Sequence, residues 1–291
     1  MYGIDNFDNY YSVKYKKKRI NDLKNYKNFI FHKIDITNLK QIKNYLKKFN
    51  FDIIINLAAQ AGVRYSYINP CKYIDTNIRG YLNLILYSKK QKLKKIIYAS
   101  SSSVYGDSIN FPLKENEKLS PKNIYGSSKM LNEKISETYS KIYNIPFIGL
   151  RFFTIFGEWG RPDMFLFKLF KSYFNKDTFY LNNFGNHERD FTYIDDVTNM
   201  LVKLTLKKNK GHKVFNISSN NPINIKNIIN NFTKSRNIKL KKIEKNKADM
   251  LKTHGDNKKI LNYLNIKLNK NFEKNFLNTF NWYSKNYKNK H

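Results

Sequence analysis

Apolar segments alternate with segments of helical periodicity along most of this chain. The run FDIIINLAA (51–59) is almost continuously apolar, as expected of a strand buried on both faces of a parallel sheet. Similar short runs occupy 29–35, 94–100, 146–153 and 213–219, and the opening MYGID also reads as a strand. Strands that alternate with helices predict an α/β fold.

The predicted helices span 37–49, about 72–90, 189–206 and 275–287, and the last of these is amphipathic. We expect the third helix and the strand after it to return to the main sheet. The alternation of strands and helices is regular as far as about residue 155 and looser beyond it. The pattern therefore predicts a regular first region followed by a less regular one.

Candidate chemistry is concentrated in residues 97–129, which read IYASSSSVYGDSINFPLKENEKLSPKNIYGSSK. Four serines end a strand, and Tyr125 and Lys129 then lie four residues apart, on one face of a helix. A free tyrosine has a pKa of about 10, and lowering it to about 7 requires about 4 kcal/mol of preference for the phenolate. Because a nearby ammonium supplies part of that preference, the pair can act as a base toward a sugar hydroxyl, with a serine hydroxyl as bridge.

The Tyr-x-x-x-Lys spacing alone is a weak signal. It also begins at Tyr10 and at Tyr263, and a solvated helix face explains most such pairs. Only Tyr125 follows an apolar run that ends in serines. The context therefore singles out this pair.

Several segments resemble the extended short-chain dehydrogenases/reductases, the family of NAD-dependent nucleotide-sugar epimerases and dehydratases. The matching segments are GIDNFDNYY (3–11), NLAAQAGVRYS (56–66), YASSSSVYG (98–106), YGSSK (125–129), LRFFTIFGEWGRPDMF (150–165) and RDFTYIDDV (189–197). Together they are most similar to the UDP-glucuronate 4-epimerases. The resemblance spans most of the chain and implies a doubly wound parallel Rossmann-type sheet with a smaller C-terminal substrate lobe.

The resemblance also implies two domains. Residues 1–154 would form the NAD-binding Rossmann domain, with a return segment at about 189–217. Residues 155–188 and 218–291 would form the lobe that binds the nucleotide sugar.

The first strand and helix of such a domain are absent from this sequence. Dinucleotide folds open with a strand, a glycine-rich turn and a helix whose N-terminus binds the pyrophosphate, whereas MYGIDNFD reads as the second strand. The absent unit would contain about 30 residues. Because the first strand is central in the order 3-2-1-4-5-6, we expect unpaired edges on its two neighbours and exposed apolar side chains between them. Three explanations are open: a late start assignment, a truncated or decayed gene, and a split enzyme completed by another polypeptide.

The resemblance assigns roles to the reactive groups and to the cofactor site. Tyr125 would be the base, Lys129 would hold the nicotinamide ribose and Ser101 would assist. Residues 57–60 lie at the carboxyl end of the strand predicted over 51–59, where doubly wound sheets bind ligands. The positions expected to bind NAD are Asp5, Asn6, Asp35, Ile36, Leu57, Ala58, Ala59, Gln60, Thr76, Tyr125, Lys129 and Phe153.

The residues that follow Ser101 favour epimerisation over related reactions. The sugar dehydratases and UDP-glucuronate decarboxylases carry carboxylates at positions that are serines here. Arg161 suits the carboxylate of an acidic sugar, since guanidinium binds carboxylate through a planar fork, and Arg64 is a weaker candidate. By resemblance, Arg189 would bind the UDP phosphates. The positions expected to bind substrate are Ser102, Ser103, Thr154, Arg161, Arg189 and Asp249.

These observations predict NAD-dependent epimerisation of UDP-glucuronate to UDP-galacturonate through a transient 4-keto sugar. Two alternatives are open: an epimerase for a different UDP-sugar, and an inactive, truncated remnant of such an enzyme. The family expectation is a cytoplasmic homodimer that supplies precursors for polysaccharide biosynthesis.

Composition changes this picture little. The formal net charge is +32, but lysines are scattered over every segment, so we expect no specific nucleic-acid partner. The single cysteine, Cys71, excludes an internal disulfide. No apolar run reaches the roughly 18 residues of a membrane-spanning helix. His187 and His212 lack the spacing of metal ligands, so we expect no metal and place both histidines in solvent or in loops.

Overall fold

The apolar runs form strands and the periodic segments form helices in the computed structural model, which describes residues 1–47, 49–89, 92–244 and 249–288. The strands are β1 (Tyr2–Asp5), β2 (Ile30–Lys33), β3 (Ile53–Asn56), β4 (Lys95–Ser101), β5 (Phe147–Phe152), β6 (Thr154–Phe156), β7 (Phe179–Asn182), β8 (Glu188–Tyr193), β9 (His212–Ile217), β10 (Pro222–Asn224) and β11 (Leu240–Ile243). The α-helices are α1 (Val13–Lys24), α2 (Leu39–Leu46), α3 (Tyr65–Ile68), α4 (Pro70–Tyr73), α5 (Tyr81–Ser88), α6 (Ile124–Tyr143), α7 (Phe165–Asn175), α8 (Ile194–Leu206), α9 (Ile225–Thr233), α10 (Lys258–Leu264) and α11 (Phe272–Lys288). A π-helix spans Ile74–Gly80, and 3-10 turns span Ser102–Val104 and Asn183–Gly185.

The chain divides into two compact units. Unit 1 comprises residues 1–100, 123–149 and 209–213. Unit 2 comprises residues 101–122, 150–208 and 214–291. The boundaries therefore fall within β4, β5 and β9.

Unit 1 contains the parallel strands expected from the sequence. β1 pairs in parallel with β2, and β3 pairs in parallel with β4 in a sheet of order β3-β4-β5-β9. Helices connect these strands along the chain, so the predicted α/β class is confirmed. Asp5 and Asn56 are the last residues of β1 and β3, and the segments that follow them contain several of the candidate residues.

β1 and β3 belong to two separate parallel sheets. Within the described part of the chain, β1 pairs with β2 alone and β3 pairs with β4 alone. Both strands nevertheless pack on one cluster of buried side chains, through Ile4 and Ile54. On β3 and just after it, Ile55 is 43% exposed and Leu57 is 52% exposed. The two unpaired edges and the exposed apolar side chains predicted from the sequence are thus confirmed.

Aromatic side chains dominate the core of unit 2. β8 pairs with β10 on one side and with β6 on the other, while β7 pairs in parallel with β11. The rings of Phe170, Phe232 and Phe280 contact one another with centroids 5.3–6.1 Å apart. Because Phe280 belongs to α11, the predicted closing helix supplies part of this core.

Two predicted helices differ from those observed. The helix expected over 189–206 begins at Ile194, because the preceding Phe, Thr and Tyr favour extended structure and pair with β6. Of the helix and the strand expected to return to the main sheet, the strand β9 belongs to it, whereas the first part of the predicted helix forms β8 and pairs with β6 and β10. The helix expected over 72–90 contains the π-helical stretch, a conformation that occurs often at functional sites.

No helix in the described ranges is long and apolar enough to cross a membrane.

Substitution of two isoleucines that are partners in the β3–β4 register tests whether the edge of β3 is exposed. Ile97 is fully buried, whereas its partner Ile55 is largely exposed. We expect Ile97→Ala to lower the free energy of unfolding by about 2–5 kcal/mol, and Ile55→Ala by less than about 1 kcal/mol. Urea unfolding of both variants measures the difference. Equal losses would mean that the edge of β3 is covered.

Candidate active site

The first turns of α6 place Tyr125 and Lys129 on one face. Asn123 caps this helix, since its side-chain oxygen accepts a hydrogen bond from Gly126 N at 2.9 Å. The Lys129 ammonium lies 5.9 Å from the centroid of the Tyr125 ring. The prediction that the two residues share a helix face is confirmed.

The Lys129 ammonium is buried and has unused donors. Its side chain is 2% exposed, and its one hydrogen bond to a described residue goes from Nζ to Ala99 O at 2.9 Å. Burial lowers the pKa of Lys129 to about 8. An ammonium has three donors, so two remain for a ligand. A pair of hydroxyl oxygens, such as those of a ribose, would satisfy them.

Asn77, at the middle of the π-helix, connects the segment after β3 to α6. Its Oδ1 accepts a hydrogen bond from Gln60 N at 2.7 Å, and its Nδ2 donates to Gln60 O at 3.1 Å and to Ser128 Oγ at 2.9 Å. Ser128 Oγ donates in turn to Tyr125 O at 2.8 Å. The sequence analysis missed Asn77, since an asparagine inside a predicted helix gives little signal by itself. Thr76, which it did single out, precedes Asn77 and is half-buried.

The residues after β3 leave surface for a ligand. Leu57 and Ala58 are exposed and Ala59 is half-buried. Gln60 is buried, and its Nε2 has no hydrogen-bond partner in the described structure. A buried amide without a partner is unusual, so this group also fits a bound ligand.

Asp5 ends β1 and Asn6 follows it, while Asp35 follows the adjacent strand β2; Asn6 and Asp35 are in contact. Asn6 Nδ2 donates to Asp35 Oδ2 at 3.0 Å, while Asp5 Oδ1 accepts from Phe7 N at 2.6 Å. Burial acts to raise the pKa of Asp35, but hydrogen bonds from Asn6 and Thr37 outweigh it and hold that pKa below its usual value. Ile36 is buried in the apolar cluster of unit 1.

In unit 2, the three serines at the end of β4 and just after it retain free hydroxyls. Ser101 Oγ accepts a hydrogen bond from Ser103 N at 3.1 Å, which leaves its own proton available to donate. Ser102 and Ser103 are also buried, and their hydroxyls make no hydrogen bond to a described residue. This segment therefore offers three hydroxyl groups and no carboxylate.

Arg161 is already paired with a carboxylate. Its Nε and Nη2 contact the two carboxylate oxygens of Asp163 at 3.0 and 2.9 Å, and Nη2 also lies 3.5 Å from Met164 Sδ. The Arg161 guanidinium thus makes the two-pronged contact predicted for a sugar carboxylate, but its partner is the carboxylate of Asp163, two residues away in the chain. Two further candidates lie next to each other in unit 2. Thr154, expected to bind substrate, begins β6 and is half-buried. Phe153, expected to bind NAD, packs closely against Gly255.

Arg189 and Asp249 lie close together in unit 2. The Arg189 guanidinium donates to the carbonyls of Glu188, Met250 and Leu251. Burial lowers the pKa of Arg189, and the nearby Asp249 carboxylate partly offsets that effect.

Asp190, which the sequence analysis did not single out, fixes the loops around this arginine. Its carboxylate accepts hydrogen bonds from Ser219 N and Oγ, Asn220 N and Gly255 N at 2.7–3.1 Å. Its signal in the sequence was only its place beside Arg189.

The histidines belong to the framework. His212 lies in β9, where Nε2 is 2.7 Å from the hydroxyl of Tyr98, so its expected placement in solvent or a loop was wrong. His187 does lie in a loop, but it is buried. Arg64 is exposed in unit 1. Across the described ranges, no cluster of three or more His, Cys, Asp or Glu side chains could hold a metal ion.

Several known proteins are similar to this chain over most of its length. A UDP-glucuronate 4-epimerase of Thermodesulfobacterium geofontis is 36% identical over 98% of this chain and 88% of its own. UDP-glucuronate 4-epimerase 4 of Arabidopsis thaliana is 34% identical over 82% of this chain and 59% of its own. A solved UDP-glucuronic acid 4-epimerase of Bacillus cereus, in complex with UDP-glucuronic acid and NAD, is 27% identical, with a TM-score of 0.90 over 98% of this chain and 91% of its own.

Parallel strands joined by helices, with a Tyr-Lys pair beside the strand ends, define a dinucleotide-dependent α/β protein. The chain belongs to the NAD dependent epimerase/dehydratase family, whose model matches residues 3–218. The predicted family and its NAD cofactor are therefore confirmed, and the relatives support an epimerase.

Replacing Lys129 with methionine tests the buried ammonium. In the unfolded chain, Lys129 has its ordinary pKa of 10.5 and stays protonated up to about that pH. In the folded protein, burial lowers its pKa to about 8. Burial therefore destabilises the folded protein below pH 8 by up to about 3 kcal/mol, and this penalty fades as the pH rises from 8 to 10.5. We expect the unfolding free energy of Lys129→Met, relative to that of the wild type, to fall between pH 7 and about pH 10. Urea unfolding measures it, with the exposed Lys134→Met as control; a difference independent of pH would contradict the assignment.

Proposed function

We propose that this protein interconverts the C4 epimers of a UDP-sugar, and that its substrate is UDP-glucuronate. The observation that carries the proposal is the buried Lys129 ammonium, which has two unused donors and lies one turn from Tyr125. A buried cation without a carboxylate partner is costly to maintain, so its presence is best explained by a ligand that it binds.

The residues of unit 1 fit a bound NAD. Lys129 would hold the nicotinamide ribose, residues 57–60 would line the cofactor, and Asp5, Asn6 and Asp35 would bind its adenosine end. NAD, when bound, supplies the oxidising power that removes the hydrogen from C4 of the sugar and restores it. The unpartnered Nε2 of Gln60 is a further donor available to the cofactor.

Proton transfer would be carried out by the side chains of this chain. Tyr125 accepts the proton of the 4-hydroxyl and later returns it, and the Lys129 ammonium favours the phenolate that makes this possible. By resemblance, Ser101 would assist this proton transfer through a hydrogen bond donated by its hydroxyl, which no described residue accepts. Since Ser102 and Ser103 bear no carboxylate, elimination of water and decarboxylation lack a residue at these positions to assist them.

Three observations support glucuronate as the sugar. Several relatives that match most of the chain are UDP-glucuronate 4-epimerases. The hydroxyls of Ser102 and Ser103 are free to bind carboxylate oxygens, and Thr154 begins β6 in the same unit. Arg161 would supply a guanidinium fork for the sugar carboxylate once its pairing with Asp163 is released. Arg189 would bind the diphosphate.

A second candidate is an epimerase for a neutral UDP-sugar. The observation that favours it is the pairing of Arg161 with Asp163, since an occupied fork is not available to a substrate carboxylate. The two candidates share the chemistry at Tyr125 and differ only in the sugar.

Incubation of the purified chain with UDP-glucuronate and NAD tests the main proposal. We expect UDP-galacturonate to form until the two epimers reach equilibrium, as followed by proton NMR. Tyr125→Phe should lower kcat by at least about a hundredfold, because it removes the base. Thermal unfolding with and without NAD checks that the variant still binds the cofactor. Failure of the wild-type chain to form UDP-galacturonate, with NAD binding intact, would exclude glucuronate as the substrate.

Arg161→Ala separates the two sugar candidates. If Arg161 binds the carboxylate, the variant should raise KM for UDP-glucuronate by about 10–100-fold, because it loses a charge-assisted hydrogen bond to the substrate. Turnover of UDP-glucose should be unchanged, since that sugar has no carboxylate. Asp163→Asn is the matched control, since it releases the fork and should not raise this KM. Equal effects of Arg161→Ala on both sugars would favour the neutral-sugar candidate.

A further inference from the structure

A buried carboxylate on α6 has no part in the chemistry described above. Glu133 lies one turn after Lys129 and is 5% exposed. Its Oε1 accepts a hydrogen bond from Ser100 Oγ at 2.5 Å, a distance typical of a hydroxyl that donates to an ionised carboxylate. Ser100 is itself 2% exposed, so water does not compete for this bond. Burying a carboxylate is unfavourable without such a bond, which raises the question of what the carboxylate does there.

Two consecutive residues of β4 are held by α6, at points one helical turn apart. The Ala99 carbonyl accepts from Lys129 Nζ, and the Ser100 hydroxyl donates to Glu133. The carbonyl of Ala99 and the amide of Ser100 belong to one planar peptide group, so a bond that fixes Ser100 also restricts the carbonyl. The position of that carbonyl in turn determines where the Lys129 ammonium lies, because it is the only hydrogen-bond acceptor that the described residues give it.

We propose that Glu133 is a positioning residue: through Ser100 it holds the Ala99 carbonyl, and so sets the place of the Lys129 ammonium relative to Tyr125. This inference rests on the proposed function for its effect on turnover. Its effect on Tyr125 itself does not require that the chain be an epimerase.

The setting of Tyr125 makes it sensitive to the place of the ammonium. Lys129 is the charged group that faces its ring from the same helix. From α4, the ring of Tyr73 lies 6.2 Å away, and its hydroxyl donates to the carbonyl of Gly62. Since the Tyr73 hydroxyl is committed to a backbone carbonyl, a displaced ammonium is the main change that Glu133 variants would impose on Tyr125.

The chain provides a matched control on the same helix. Glu137 lies one turn beyond Glu133, but its contacts are surface ion pairs with Lys134 and Lys141. Glu137→Gln and Glu133→Gln make the same chemical change at an exposed and at a buried position. Exposed pairs of this kind contribute little to stability, so Glu137→Gln should resemble the wild type.

The test combines Glu133→Gln, Ser100→Ala, the double variant and the Glu137→Gln control. We expect each single variant at the Ser100–Glu133 bond to lower kcat for the proposed epimerisation about tenfold or more, with KM changed less than about twofold. Because both changes break one bond, the double variant should be no slower than the slower single variant. Wild-type kcat in Glu133→Gln, in a folded protein, would overturn the proposal, and so would additive losses in the double variant.

A spectroscopic readout keeps this test independent of turnover. The ultraviolet absorbance of tyrosinate, followed against pH in the wild type and in Tyr125→Phe, isolates the titration of Tyr125 by difference. We expect Glu133→Gln to move its midpoint to higher pH, because a displaced ammonium favours the phenolate less. An unchanged midpoint in Glu133→Gln would overturn the proposal even if the enzyme is active. A shifted midpoint in a chain with no epimerase activity would preserve it and reject the proposed function.

Discussion

The hydrogen bond from Lys129 to the carbonyl of Ala99 is the contact on which the candidate site depends. It joins the reactive helix α6 to the end of β4, and it leaves an ammonium buried with two donors unused. The burial of a charge that lowers its pKa to about 8 is unfavourable for folding. Such a group persists where a ligand uses it, and proteins commonly accept a loss of stability at functional sites for this reason.

Several hydrogen bonds support this contact from neighbouring elements of unit 1. Asn123 caps the N-terminus of α6, the helix that carries Tyr125 and Lys129 on one face. Asn77 connects the segment after β3 to the first turns of the same helix. Glu133 ties Ser100, the residue after Ala99, to the next turn. Asn77 and Glu133 are buried, and networks of hydrogen-bonded buried polar residues hold a site in one geometry.

The sequence predicted the α/β class, the helix with Tyr125 and Lys129, and the unpaired edges of β1 and β3, because each depends on local pattern or on strand order. It predicted β8 as part of a helix, because pairing with β6 and β10 is a tertiary effect that periodicity does not report. Asn77, Glu133 and Asp190 act through partners distant in the chain, and residue type alone did not indicate them. The pairing of Arg161 with Asp163 was not predicted, because the order of residue types in a loop does not show which charged side chains turn toward each other.

The central claim is that the buried ammonium of Lys129 holds a ribose of the cofactor. Isothermal titration of NAD into the wild-type chain and into Lys129→Met tests it most directly. Loss of hydrogen bonds from a charged donor should weaken NAD binding by at least about tenfold in the variant. Equal affinity of the two proteins for NAD would contradict the claim.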